Sequence, residues 1–202
     1  LLKRFAHPEA KISQPEHIGI GEDAITFKFK HGETDLCLKV FKPWKYPHSY
    51  PSINPTVEKL IGPFSRECRA FARLCDMGLN GTWAVRCHGW IYLSDSQMAS
   101  LRKVYPQLES YDPYYTGSRW AIVKDFLSAP PTKADLVKIR EGFDIAKQAR
   151  ILPHDLEMDN YKGSVLMDLG CSTTYPFVRG YASTFEFDHF FDNCIPYIGE
   201  DW

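Results

Sequence analysis

Pro153-His154-Asp155-Leu156-Glu157-Met158-Asp159-Asn160, followed by Val165-Leu166-Met167-Asp168-Leu169-Gly170, is the stretch on which the reading of this chain turns. An Asp, four intervening residues and an Asn precede an Asp-x-Gly that closes a short apolar strand. That order suits a magnesium nucleotide. A first carboxylate can orient or deprotonate an attacking hydroxyl, while an amide oxygen and a second carboxylate supply hard ligands for cations that bridge phosphates. Asp155 is therefore the candidate for the hydroxyl-positioning role, and Asn160 and Asp168 are the candidates for Mg2+.

Working outward towards the N-terminus, His17 to Phe29 reads as a glycine-containing turn that leads into a strand alternating after Ala24. Gly19 and Gly21 form a Gly-x-Gly pair, which lets backbone amides approach phosphate oxygens without side-chain obstruction. His31-Gly32-Glu33 is a hairpin turn, and Leu36 to Phe41 is the returning strand. Lys39 stands inside that apolar run, where a lysine is costly to bury without a partner. It is read either as a phosphate-contacting lysine held by a carboxylate or as a side chain pointing outward from an edge strand.

The carboxylate candidate lies in Ser65-Arg66-Glu67-Cys68-Arg69-Ala70-Phe71-Ala72-Arg73-Leu74. This reads as a helix entered from Pro63 with Ser65 as its cap. Cys68, Phe71, Ala72 and Cys75 fall on one face at helical spacing, with Glu67 beside it. Glu58 is the alternative partner. Between strand and helix, Pro43, Pro47, Pro51 and Pro55 alternate with Trp44, Tyr46 and Tyr50, a rigid surface loop that could also dock a protein partner.

Thr82 to Tyr92 reads as a further strand region, and Ser94 to Arg119 as a polar insertion with a short helix. Trp120 to Leu127 is a strand that ends at Ala129-Pro130-Pro131. Thr132 to Leu152 is helical in pattern, its face supplied by Leu136, Ile139, Phe143, Ile145 and Ala149. Lys162-Gly163 is a hairpin turn before the strand Ser164 to Met167.

Taken together, these motifs resemble the eukaryotic-type protein kinases in their order along the chain, from about Ile18 to Gly170. The resemblance implies an α+β, protein-kinase-like two-lobed fold. Residues 1–127 would form a β-rich N-lobe carrying the nucleotide loop, lysine strand, C helix and hinge. Residues 128–202 would form a truncated helical C-lobe. It implies ATP and Mg2+ as cofactors, catalytic roles for Asp155, Lys39 and Glu67, and nucleotide contacts from Gly19, Gly21, Lys39, Asp125 and Phe126. Asp125 and Phe126 fall at the hinge, and Lys124 falls where kinases carry an apolar gatekeeper.

The departures are as informative as the matches. Pro153-His154-Asp155 replaces His-Arg-Asp, removing the arginine that reads activation-loop phosphorylation. Glu157 stands where a lysine usually neutralises the transferring phosphate, and a carboxylate there repels it. Only 32 residues follow Gly170 in the 202-residue chain, with no Ala-Pro-Glu and no room for the large helical platform. This abbreviated pattern resembles compact fungal kinase-like proteins linked by similarity to a kinetochore complex subunit. Aminoglycoside phosphotransferases share an Asp-(x)4-Asn loop, but they usually separate His from Asp by a glycine and lack the Asp-x-Gly, so they match less well.

Two functions follow from that resemblance. One is ATP-dependent phosphoryl transfer to an alcohol acceptor; the other is a pseudokinase that acts as a nucleotide-binding or protein-interaction module. A third reading makes Asp155 and Asp168 mere turn caps. The hydroxyls in Ser172-Thr173-Thr174-Tyr175 are candidates for self-phosphorylation.

Composition is that of a globular protein, with 44% hydrophobic, 24% charged and 14% aromatic residues. The formal net charge of −1 gives no global attraction to nucleic acid. Lys28, Lys30, Lys39, Lys42 and Lys45 make the first third basic, and Glu186, Asp188, Asp192, Glu200 and Asp201 make the tail acidic; both read as solvated faces. Cys37, Cys68, Cys75, Cys87, Cys171 and Cys194 include no C-x-x-C pair, which argues for reduced thiols rather than zinc. There is no bilayer-length apolar run and no cleavable signal, so an intracellular protein, cytoplasmic or nuclear, is expected. The chain begins Leu1-Leu2-Lys3 without Met, and further residues are expected to precede it.

Overall fold

In a computed structural model of the protein, residues 1–44, 60–109, 118–177 and 183–199 are described below. The fold is α+β, a β-rich sheet with four α-helices among these residues. Glu58, Lys45, Glu200, Asp201 and most of the proline-aromatic loop lie outside them.

Strands β1 (Ser13–Ile20), β2 (Ala24–His31) and β3 (Thr34–Phe41) form an antiparallel meander. The sheet is completed by β4 (Cys87–Tyr92) and β5 (Trp120–Asp125) in the order β1-β2-β3-β5-β4. In β2 the period-two pattern is realised, with Ile25, Phe27 and Phe29 buried and Thr26 and Lys28 half-buried. The β2–β3 turn is a tight hairpin, His31 pairing Thr34, and Gly32 at φ 60° takes the left-handed conformation that turn needs. From Leu36 to Phe41, β3 is buried at every position because β2 and β5 flank it. Lys39 is therefore in an interior strand rather than at an edge.

The expected glycine turn is shifted. Gly19 sits within β1, opposite Thr26 and next to an irregularity in register, and only Gly21 opens the turn, its N–H donating to Ala24. The alternation of β1 in burial is shallow, half-buried against exposed, so little in its apolar pattern marked it as a strand.

Helix α1 (Pro63–Asp76) begins with Gly62 as N-cap and Pro63 at the first helical position, not with Ser65. Proline suits that position because its missing N–H would have no intrahelical partner. The buried face is Glu67, Ala70, Phe71, Ala72 and Leu74. Cys68 is half-buried and Cys75 exposed, so the apolar face expected through them is rotated towards Glu67. Within Ser94 to Arg119, helix α2 (Asp95–Val104) is fixed by a reciprocal capping box between Ser94 and Gln97.

Thr82 to Tyr92 is a strand only from Cys87. Trp83, Ala84 and Val85 are buried in irregular backbone, tied by Val85 N–H to Leu166 and by Leu166 N–H to Trp83. Helix α3 (Leu136–Ala149) is shorter than the periodicity suggested. Its buried face is Ile139, Phe143, Ala146 and Ala149; Leu136 and Ile145 are half-buried at its margins. Arg150 ends the helix at φ 52°, its guanidinium stacked 4.4 Å over Tyr175. The next two residues are strand β6 (Ile151–Leu152), which pairs with β9 (Thr173–Thr174). The hairpin at Gly163 joins β7 (Tyr161–Lys162) to β8 (Val165–Leu166), and α4 (Thr184–Asn193) packs Phe187 and Phe191 into the core.

The N-terminal segment is strapped across β4. Phe5 N–H donates to Trp90 and Trp90 N–H to Lys3, passing over Gly89 at φ 127°. A Cβ on Gly89 would lie 2.5 Å from the Lys3 carbonyl, so only glycine allows this approach. No helix among the described residues is long and apolar enough to cross a membrane.

Candidate functional site

Four segments bring four charges together. Lys39 is placed by the middle of β3, Glu67 by the second turn of α1, and Asp168 by the residues after β8. Lys39 Nζ donates to Glu67 Oε2 at 2.7 Å and reaches both oxygens of Asp168 at 2.6 Å. The fourth member is Lys124 of β5, which donates to Glu67 Oε1 at 2.8 Å and to the Met167 carbonyl at 2.7 Å. Glu67 is wholly buried, and Lys39 and Lys124 are 6% and 3% exposed. Each carboxylate oxygen of Glu67 thus has its own ammonium partner, the condition under which a buried charge is tolerated.

The electrostatics follow from these contacts. Burial alone would lower the pKa of Lys39, but Glu67 and Asp168 outweigh it and hold the group above its ordinary value. For Lys124 burial is again opposed, chiefly by Glu67, and its pKa is also raised. Burial would raise Asp168; Lys39 and Lys124 overcome this and hold it below the usual carboxylate range. The Gly170 N–H also donates to Asp168 Oδ1 at 2.7 Å. A Cβ on Gly170 would stand 3.0 Å from that oxygen and 3.3 Å from Lys39 Nζ, so the glycine of Asp-x-Gly lets the backbone close over the cluster.

A pH dependence follows. Because Asp168 has a lower pKa folded than its ordinary 3.8, its contribution to stability is full above that pH and is lost as pH falls through the folded value. The urea midpoint of the wild type is expected to exceed that of Asp168→Asn at pH 5, with the gap narrowing as pH drops below 3.8. A gap constant from pH 5 to pH 2.5 would contradict the assignment.

Beside the cluster lies a cleft of about 230 Å³, lined in part by Gly19, Lys39, Phe126, Asn160 and Asp168. Five of the residues singled out by sequence are therefore brought to one cavity, with Glu67 directly behind Lys39. Asn160 ends a short 3-10 turn (Met158–Asn160), its carbonyl accepting from Met167 N–H at 2.7 Å, which ties the two loops together. Gly21, Asp125 and Asp155 do not line this cleft among the described residues. The Asp125 carboxylate instead lies 2.6 Å from His88 Nε2, and its N–H donates to Arg86. Asp155 is half-buried near Tyr161, whose hydroxyl is pushed up first by burial and then by the Asp155 charge. His154 lies 3.0 Å from the hydroxyl of Thr173.

Lys124 falls where protein kinases carry an apolar gatekeeper, and here it is the second cation on Glu67. Its signal was the one that marked Lys39, a lysine within an apolar strand. The hydroxyls proposed for self-phosphorylation are mostly inaccessible, with Ser172, Thr173 and Thr174 buried and Tyr175 exposed. All six cysteines are free thiols.

The cleft tests the fit of a magnesium nucleotide. Asn160 and Asp168 offer oxygens of the right kind, but both Asp168 oxygens are engaged by Lys39. A cation at Asp168 would have to share that carboxylate with the Lys39 ammonium, whose positive charge disfavours it there.

Compared with known proteins, residues 1–173 match the model of a family described as Kinetochore Sim4 complex subunit FTA2. No curated protein matches the chain.

Proposed function

The chain belongs to the FTA2 family of kinetochore Sim4 complex subunits, and on that premise we propose that it is a pseudokinase-type assembly subunit that works in the nucleus through protein contacts. In this reading residues 1–127 form a β-rich lobe and residues 128–202 an abbreviated second lobe of a protein-kinase-like fold. The residues that would serve a nucleotide have been turned to structural use. The observation that carries the reading is the closed quartet of Lys39, Glu67, Lys124 and Asp168, two cations against two anions within 2.8 Å of their partners. Support comes also from the cleft, whose 230 Å³ falls short of the roughly 300–1,000 Å³ typical of small-molecule sites. Glu157, exposed and three residues before Asn160, stands where protein kinases usually carry a lysine, and a carboxylate there repels phosphate.

A second reading, phosphoryl transfer from ATP, is favoured by the convergence of Lys39, Asn160 and Asp168 on one cleft. Thermal unfolding separates the two. Under the pseudokinase reading, millimolar ATP with Mg2+ leaves the midpoint unmoved. A site saturated at 100 times its Kd would add about 2.7 kcal/mol, which at roughly 2–4 °C per kcal/mol is a shift of several degrees. Such a shift, dependent on the metal and lost in Asp168→Ala, would overturn the proposal that the cleft serves only structure, and phosphate release from ATP would then separate an enzyme from a nucleotide-binding pseudokinase. In reconstituted Sim4 complex, wild type and a folded Asp168→Asn variant are expected to be incorporated equally.

A further inference from the structure

A cavity of about 710 Å³ shares no lining residue with the cleft beside the charge quartet. Its floor is apolar and aromatic. Phe64 of α1 meets Trp120 of β5 at 5.4 Å between ring centres, and Trp90 of β4 meets Trp120 at 5.5 Å. Trp120 is 42% exposed, an unusual placement for so large an apolar side chain. A contiguous apolar depression of this kind is characteristic of interaction sites.

Its rim is cationic. Arg69 and Arg73, one helical turn apart on α1, line the groove together with Arg4, and Asp76 is the carboxylate among the lining residues. Arg69 donates to the carbonyls of Thr174 and Pro176 at 2.8 and 2.6 Å, and Arg73 to that of Tyr175 at 2.7 Å. These bonds hold both guanidinium groups in place, yet their acceptors are neutral. Among the described residues neither arginine is paired with a carboxylate, and the pKa of Arg69 is lowered by burial and by the adjacent Arg73 charge. Arg4 has only a loose 3.9 Å contact with Glu9. Fixed, uncompensated guanidinium groups around an aromatic floor are the recognition chemistry of carboxylates flanking an apolar anchor.

We propose that this groove, between α1 and the Trp90–Trp120 edge of the sheet, docks an acidic peptide segment of a partner protein through an aromatic or long aliphatic anchor. The anchor would occupy the aromatic floor, and carboxylates on either side would meet Arg4 and the Arg69–Arg73 pair. The interaction does not depend on whether the other cleft holds a nucleotide.

The probe is a phage-displayed library of random 12-residue peptides panned on the intact chain at physiological salt. The expected result is enrichment of peptides with net negative charge and at least one aromatic or long aliphatic residue. A fluorescein-labelled peptide of that set is expected to lose at least tenfold in affinity to Arg73→Glu and to Arg4→Glu. Changing to lysine only the carboxylate on the α1 side, and leaving the one that meets Arg4, is expected to recover part of the binding to Arg73→Glu. Melting midpoints exclude unfolding as the cause, and Arg4→Glu, outside the helix, carries the test if Arg73→Glu does not fold. Absence of enrichment, neutral or basic peptides, or undiminished binding to the folded variants would overturn the proposal. So would a concentration-dependent dimer abolished by Arg4→Glu, which would make the occupant a second copy of the chain.

Discussion

Glu67→Ala is expected to lower the free energy of unfolding by about 3–5 kcal/mol, the cost of removing one partner from a buried ion pair. The chemistry behind that size is specific. Glu67 is fully buried and serves two ammonium groups, Lys39 at 2.7 Å and Lys124 at 2.8 Å. After the substitution Lys39 keeps Asp168, but Lys124 keeps only the Met167 carbonyl as acceptor. A buried ammonium with one neutral acceptor must either stay charged at high cost or release its proton. Urea unfolding at pH 7 measures the loss. A further difference is expected with pH, because the stranded Lys124 now has a depressed pKa in the folded state. Its penalty is fully present at low pH and fades as pH rises towards the ordinary lysine value of 10.5. A loss below 1 kcal/mol, with no pH dependence, would mean that the quartet does not hold the fold together.

Phe71→Ala should cost a similar amount, about 3–5 kcal/mol, as for other buried Phe truncations. Phe71 is 0% exposed on the face of α1 that carries Glu67, and its ring centre stands 5.9 Å from Lys124 Nζ. Truncation leaves a cavity in the core beside the buried Lys124–Glu67 pair, where water can enter and solvate it. Because a hydrated cluster no longer depends as strongly on each pairing, the double variant Glu67→Ala/Phe71→Ala is expected to lose less than the two single losses combined. Strict additivity would show that Phe71 acts through packing alone.

Where the sequence pattern was decisive, the reason is physical. The β2–β3 hairpin was legible because Gly32 and period-two burial are local signals. Lys39 and Glu67 were legible because a charge amid apolar neighbours must be paired, and their pairing is now seen. Helix α1 was legible in extent but not in rotation, since the Cys68 and Cys75 face looks as apolar as the Ala70 and Leu74 face until the sheet selects one. Trp83 to Val85 reads as a strand by composition, but its hydrogen bonds go to Leu166, a tertiary contact that no local window contains. The same holds for the site. Lys124 joins Glu67 across 57 residues of chain, and the diversion of Asp125 towards His88 depends on how β4 is laid beside β5. Asp155 was placed by its spacing to Asn160, but spacing within a loop does not fix which cavity a side chain faces.

The strap laid across β4 also has a meaning in the order of synthesis. The Leu2 carbonyl takes its hydrogen bond from Trp90, 88 residues later. At about 5–20 residues per second, translation delivers that partner only after roughly 4–18 s. Through that interval Leu2 and Phe5, both buried in the finished protein, have emerged without the strand that covers them. The Leu2–Phe5 segment is therefore a late-docking piece of the fold, and the nascent chain passes through a stage in which Leu2 and Phe5 are open to chaperones.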